Sequence, residues 1–253
     1  MISDDDCPAS RPRVAVFRPD DDRLDAARTL LADLGADPVT DPMLAVERTG
    51  ATPRPADYVV FTSKTGAEIV AAAGWTPGDA TVAAIGPKTA EALEAAGYTV
   101  DLLPETYTSA GLVDCLADRV GDGDDGATVE VARSDHGSAV LLDGLRDAGA
   151  TVHETVLYRL VRPEESGDSA DFAAAGDLDA ACFTSSLTVE HFLDAAAERG
   201  IREAAVRGLN DAVVGAIGDP TRETAASLGL EVDVVPAEAT FEALARETVE
   251  RVR

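Results

Sequence analysis

The chain repeats itself, and the order of the repeats limits what it can fold into. YVVFTSKTGAEIVAAAG at residues 58–74 is answered by AACFTSSLTVEHFLDAA at residues 180–196. VAAIGPKTAEALEAAGYTVDLLPETYTSAGL, from residue 82, is answered by VGAIGDPTRETAASLGLEVDVVPAEATFEAL, from residue 214. A weaker pair precedes each of these: RVAVFRPDDDRLDAARTLLADLGA, from residue 13, parallels TVEVARSDHGSAVLLDGLRDAGA, from residue 128. Self-similarity on this scale marks a duplicated structural unit. Along the chain the order is short unit, long unit, short unit, long unit.

Apolar runs such as VAVF, closed by polar turns, read as strands, and apolar residues at helical spacing ending in LGA or AGA read as helices. Strands alternating with amphipathic helices predict a parallel sheet covered on both faces. Two strands from a short unit and three from a long one predict a five-stranded, doubly wound, flavodoxin-like α/β domain, present twice. The linkers decide which units combine. RVGDGDDGAT is a Gly/Asp turn of a length found inside one domain. TDPMLAVERTGATPRPA and ETVLYRLVRPEESGDSAD are longer, extended segments that read as crossovers. The expected domains are therefore 39–161, continuous, and 1–38 with 162–253, discontinuous, the crossovers lying side by side as a two-stranded hinge.

A chain of 253 residues with 45% hydrophobic content can bury the cores that two such domains need. Its 47 acidic against 21 basic residues give a net charge of −26, which excludes general affinity for nucleic acid. With lysine reduced to Lys64 and Lys88, the acidic excess is that of a halophilic protein, whose self-repulsion concentrated salt would screen. No apolar run approaches the ~20 residues of a membrane-spanning helix, so no membrane partner is expected. MISDDDCPAS is acidic where a secretory signal is basic and then apolar; it reads as a disordered leader, and the expected location is cytoplasmic. Cys7, Cys115 and Cys182 form no CxxC pair and read as free thiols. His136, His153 and His191 lack ligand spacing, so no metal site is expected.

In open parallel sheets, ligands bind beyond the carboxyl ends of the strands. The repeated motifs fall there: Arg18 in VFRP, Arg133 and Ser134 in VARS, Thr62, Ser63 and Lys64 in FTSK, and Thr184, Ser185 and Ser186 in FTSS. AIGPKT adds Gly86, Lys88 and Thr89, and AIGDPT adds Gly218 and Thr221. Helix capping alone accounts for any one of these hydroxyls or glycines. Together, several helix N-termini with Arg18, Lys64, Lys88 and Arg133 make a multi-point receptor for a polycarboxylate or polyphosphate. GxSxG, GxxxxGK[ST] and a GxGxxG after a strand are missing, so acyl transfer, nucleotide hydrolysis and NAD chemistry lose support.

FTSKTG, AIGPKT, AGATVHETVLYRLV, FTSS, AIGDPT and the closing VVPAEATFEALA, in this order and spacing from about residue 13 to the C-terminus, resemble uroporphyrinogen-III synthase. The resemblance implies two HemD-like domains, one of them discontinuous, on a two-stranded hinge. It implies hydroxymethylbilane as substrate, a linear tetrapyrrole with acetate and propionate groups on every ring, with no cofactor or metal. Loss of the terminal hydroxyl gives an azafulvene cation; the substituted carbon of the last ring attacks it, and a spiro intermediate fragments and recloses with that ring inverted. Tyr158 matches the family's VY position, facing the cleft between domains and assisting hydroxide departure; Thr89 and Thr221 match its glycine-threonine loops as carboxylate binders. The second loop reads GDPT, with Asp219 where Pro or Asn is usual. A monomer is implied, with the upstream bilane-forming enzyme as a candidate partner. Two rivals remain at this point: a non-catalytic two-domain binder of tetrapyrroles or small anions, and a glycosyltransferase-like enzyme, for which no nucleotide signature speaks.

Overall fold

The computed structural model describes residues 11–121 and 126–253. The leader with Cys7, and the centre of the RVGDGDDGAT turn, lie outside the described residues. The first half of the chain runs β1 (Arg13–Val16), α1 (Asp22–Asp33), β2 (Asp37–Thr40), β3 (Ala45–Arg48), β4 (Tyr58–Phe61), α2 (Lys64–Ala72), β5 (Thr81–Ala84), α3 (Pro87–Ala95) and α4 (Ser109–Val120). The second runs β6 (Thr128–Ser134), α5 (Ala139–Asp147), β7 (Thr151–Val161), α6 (Asp168–Ala175), β8 (Ala180–Phe183), α7 (Ser186–Glu198), α8 (Arg202–Asn210), β9 (Val213–Ala216), α9 (Asp219–Ser227) and α10 (Phe241–Val252).

These elements form two compact units, Met1–Ala45 with Val161–Arg253, and Val46–Leu160. In the first, the parallel order is β2-β1-β8-β9, and Val234 bridges to Gly215 beyond β9. In the second, β7-β6-β4-β5 are parallel and Leu102 bridges to Ala83 beyond β5, while β3 adds to the outer side of β7. Setting β6, β7, β4 and β5 against β1, β2, β8 and β9 makes the two orders identical. The second unit is thus a circular permutation of the first: its long repeat precedes its short one.

The strands alternate between two buried faces, as parallel sheets covered by helices require. Ala15, Phe17, Ala181 and Phe183 point to one core, and Val14, Val16, Ala180 and Cys182 to another. Val59 and Phe61 face a third core, Val60, Val129 and Val131 a fourth. The stacked rings of Phe17 and Phe183, 4.6 Å apart, join neighbouring strands of the first unit. A repeated aspartate holds the strand starts: Asp57 accepts from Thr128 N at 2.8 Å and Asp179 from Arg13 N at 2.7 Å. Asp101 and Asp233 do the same for Val82 N and Val214 N, at 2.8 and 2.9 Å. Four carboxylates therefore accept from N–H groups near strand starts, which is the physical reason for an Asp recurring in both copies.

The first boundary differs from the expected 38/39. β2 pairs with β1, Met43 is fully buried in the first unit's core, and Asp41 accepts from Gly167 N and Ser169 N, both at 2.8 Å, which ties residues 39–45 to the start of α6. The strand count differs too: the fifth position of each sheet is a single bridge, and the second sheet reaches five strands through β3.

Candidate functional site

The point where strand order reverses lies between β1 and β8 in one unit and between β6 and β4 in the other, the position at which doubly wound sheets take ligands. In the second unit, Ser63 ends the β4 loop and caps α2, accepting from Gly66 N at 3.0 Å; Thr62 beside it is half-buried. Lys64 is exposed and pairs with Glu68 one turn on, at 3.2 Å. Gly86 precedes α3 with no side-chain cap; Pro87 has no N–H and Thr89 N donates to Gly86 O at 3.1 Å, so on this turn it is the Lys88 N–H that depends on water or a ligand. Lys88 is exposed on that turn, and Thr89 is 4% exposed with no side-chain hydrogen bond among the described residues. Tyr107, itself exposed, lies against Gly86.

Tyr158 is brought to the head of α2 by a break in the β6–β7 ladder. Arg133 pairs with Val156 but Ser134 pairs with Tyr158, so Leu157 is the extra residue of a bulge. Without it Leu157 and Tyr158 would face opposite sides; with it both enter the same core. Thr49 absorbs the displaced carbonyls: its Oγ1 donates to Val156 O at 2.7 Å, and its N–H to Leu157 O at 3.1 Å. Asp135 holds the strand beyond, donating its N–H to Tyr158 O at 3.2 Å and accepting from Leu160 N at 3.1 Å. Burial pushes the Asp135 carboxyl up, but the His136 and Leu160 hydrogen bonds together hold it below the usual range. The Tyr158 ring is 6% exposed and its hydroxyl donates to Ser63 Oγ at 3.0 Å. Thr49 and Asp135 were not singled out from sequence; the one trace of the bulge is the break of alternation in TVLYRLV.

Arg133 is placed otherwise than expected. Its side chain is 6% exposed; Nε donates to Glu154 Oε1 at 2.7 Å and a terminal nitrogen donates to Ser138 O at 2.5 Å. The backbone at Gly137 passes so close to this side chain that a Cβ there would overlap Arg133 Cδ. Arg133 closes the β6–α5 turn, and its charge is balanced inside the unit. Ser134 is the half-buried last residue of β6.

Arg18 occupies the equivalent position in the first unit with a different outcome. It is half-buried, pairs with no carboxylate among the described residues, and lies over the Phe241 ring, 5.0 Å from its centre. Burial, then the neighbouring Arg23, lower its pKa against the pull of Asp21. Ser185 caps α7 in a reciprocal box with Thr188, and Thr184 beside it is half-buried. Ser186 is turned toward α9, donating to Pro220 O at 3.1 Å and accepting from Thr224 Oγ1 at 2.8 Å. Gly218 starts α9 without a side-chain cap, and Thr221, 4% exposed, has no side-chain hydrogen bond among the described residues. Asp219 is exposed and paired with Arg222 at 2.9 Å. At the matching repeat loops each unit therefore offers a serine-capped helix, Ser63 or Ser185, and an uncapped glycine turn with a buried threonine, Thr89 or Thr221, and the cations differ between them. Among the described residues no three His, Cys, Asp or Glu gather as metal ligands, and no helix is long and apolar enough to cross a membrane.

The model of the family described as uroporphyrinogen-III synthase HemD matches residues 25–246. A putative uroporphyrinogen-III synthase of Methanothermobacter thermautotrophicus is 36% identical over 151 residues, 56% of this chain and 58% of that protein. A uroporphyrinogen-III synthase of Chlorobaculum parvum is 27% identical over 155 residues, 60% of this chain and 59% of that protein. The chain thus spans under three fifths of the length of these curated relatives. Among solved structures, a mutant uroporphyrinogen III synthase from Thermus thermophilus superposes with a TM-score of 0.65 at 20% identity, covering 95% of this chain and 98% of that one. The uroporphyrinogen-III synthetase of Helicobacter pylori gives 0.62 at 14% identity, covering 96% and 100%. At these identities the two structures show the fold alone, a mixed α/β fold with parallel sheets. The family match is different in kind, because residues 25–246 cover most of the chain, both long repeats included: the chain belongs to the uroporphyrinogen-III synthase family.

Proposed function

We propose that the protein cyclises hydroxymethylbilane to uroporphyrinogen III, with loss of water and inversion of the last pyrrole ring. The observation that carries this reading is the pair of buried threonines, Thr89 and Thr221, each 4% exposed on an uncapped first turn and each with a hydroxyl lacking a partner among the described residues. The side chains are packed, yet neither hydroxyl oxygen is among the buried side-chain atoms without a partner, so both oxygens reach the surface where a ligand can take them. Two unspent hydroxyls at equivalent places, beside exposed first-turn N–H groups, suit a ligand bearing several carboxylates. Arg18 and Lys88 supply charge, and Ser185 and the half-buried Thr62 and Thr184 supply further hydroxyls.

The chemistry asks more of positioning than of reactive side chains. Holding the two ends of the bilane in a near-attack geometry contributes up to ~7–11 kcal/mol, whereas one general acid is worth ~10²–10⁴ in rate. Tyr158 is the acid: its phenol protonates the departing hydroxyl. Carboxylate recognition at the glycine-threonine turns folds the chain and selects which carbon attacks. The reading also carries a monomeric, cytoplasmic enzyme that works without metal or cofactor.

The test is conversion of hydroxymethylbilane, with products I and III separated and spontaneous closure subtracted. The expected result is mainly isomer III, formed faster than spontaneous closure, with Tyr158→Phe slowing it ~10- to 10³-fold while the residual product stays mainly III. Isomer I alone at the spontaneous rate would leave a non-catalytic binder instead.

A further inference from the structure

We propose that Ser63 is a positioning residue that acts through Tyr158, turning its hydroxyl round during the reaction to hold the tyrosine once its proton has left. This rests on the reading of Tyr158 as the acid. The Tyr158 hydroxyl lies 3.0 Å from Ser63 Oγ, and the same oxygen accepts Gly66 N–H at 3.0 Å on the first turn of α2. Ring and hydroxyl are placed by the Leu157 bulge and sit in the core at 6% exposure, so their direction is set by packing. The approach is tight: a Cβ at Gly66 would come 3.1 Å from Ser63 Oγ and 3.3 Å from Leu157 Cδ1, so any larger residue there would have to push both side chains aside by a few tenths of an ångström.

A serine oxygen has two lone pairs and one hydrogen. One lone pair is held by Gly66 N–H; the other accepts Tyr158 O–H in the resting protein. When the phenol O–H bond rotates from Ser63 toward the substrate, the oxygen staying in place, its proton passes to the terminal hydroxyl oxygen, the carbon–oxygen bond breaks, and the bonding pair leaves with oxygen as water. Ser63 then rotates its own hydrogen onto the phenolate while keeping the Gly66 bond. The developing negative charge is thus bonded through one serine to the positive end of α2. After ring closure the newly substituted pyrrole carbon sheds its proton to the phenolate, and Tyr158 and Ser63 return to their first arrangement. Proton and electron counts close over the cycle.

The equivalent serine, Ser185, meets no tyrosine: it is closed into a capping box with Thr188, where the second unit has Gly66. The paired arrangement belongs to one unit, which is what a single acid requires.

Ser63 also caps α2, so the test separates capping from donation. Ser63→Asp keeps a strong cap but can only accept. Ser63→Thr keeps both cap and donor. Isomer-resolved kinetics on the full chain should show Ser63→Asp and Ser63→Ala losing ~10-fold or more in kcat with KM changed less than about threefold, and Ser63→Thr retaining most of kcat. In a Tyr158→Phe background, adding Ser63→Ala should cost under about twofold, because its partner is already gone. Thermal melting should find Ser63→Asp as stable as wild type. An Asp variant with wild-type kcat, or losses from Ser63 and Tyr158 that simply multiply, would overturn the proposal while leaving Tyr158 as the acid. A wild type no faster than spontaneous closure would overturn both.

Discussion

Glu130 is fully buried mid-strand on β6, and among the described residues only one of its oxygens has a partner, Oε1, which accepts from Thr155 Oγ1; Oε2 has none. An acceptor stripped of its donor costs more than a pair removed together. Thr155→Val should therefore destabilise by about 1–3 kcal/mol, whereas Glu130→Leu combined with Thr155→Val should be neutral or stabilising, as read by urea unfolding. Thr89 and Thr221 predict the opposite balance. Their hydroxyls have no side-chain hydrogen bond among the described residues, so Thr89→Val and Thr221→Val should leave stability within ~0.5 kcal/mol of wild type, yet raise KM for the bilane about fivefold to tenfold each. A drop in stability with unchanged KM would make them structural. Cys182 is inert by comparison: burial pushes its thiol up to about 12, so the thiolate is scarce at neutral pH.

At the scale of elements, the bulge in β7 is the device that aims Tyr158, and Thr49 is its support. Thr49→Val removes the hydroxyl from Val156 O and Leu157 O while leaving the backbone bond. The expected cost is about 1–2 kcal/mol in stability, with kcat falling further than Tm suggests because the phenol shifts off Ser63. Activity that tracked the folded fraction alone would show that the bulge keeps its shape without Thr49. The strand–helix alternation and strand-end loops were legible because duplication shows each element twice and period 2 or 3.6 survives in single sequences. The bulge was not, since one extra residue in TVLYRLV leaves composition untouched. Nor was the fate of Arg133: VFRP and VARS read alike, and only the fold brings Glu154 on β7 to one of the two arginines. Residues 39–45 were misassigned because DPML looks like linker, while Asp41 and Met43 are anchored by partners far along the chain.

For the whole molecule, charge dominates. Five ion pairs, Arg28–Asp25, Lys64–Glu68, Arg146–Asp143, Arg222–Asp219 and Arg246–Glu242, are exposed and within one helical turn, worth only ~0.3–0.5 kcal/mol each. Against a net charge of −26 they are minor, so screening should help more than it harms. Tm is expected to rise as potassium chloride goes from ~0.1 M toward molar concentration, where the Debye length falls from ~10 to ~3 Å. A flat or falling Tm would mean that local pairing outweighs the long-range repulsion.

The permuted order of the repeats also sets a timetable for synthesis. The second unit lies wholly within Val46–Leu160 and can close its sheet as soon as that stretch has emerged. The first cannot: Arg13 donates to Asp179, 166 residues away, and β1 waits for β8. Until then α1 and β1 carry an unpartnered apolar face on a nascent chain, at a translation rate of ~5–20 residues per second a wait of roughly ten to thirty seconds. Asp20, Asp21, Asp22 and Asp25 at the N-terminal end of α1, with Asp33 at its other end, border that face and so guard it against association during the wait.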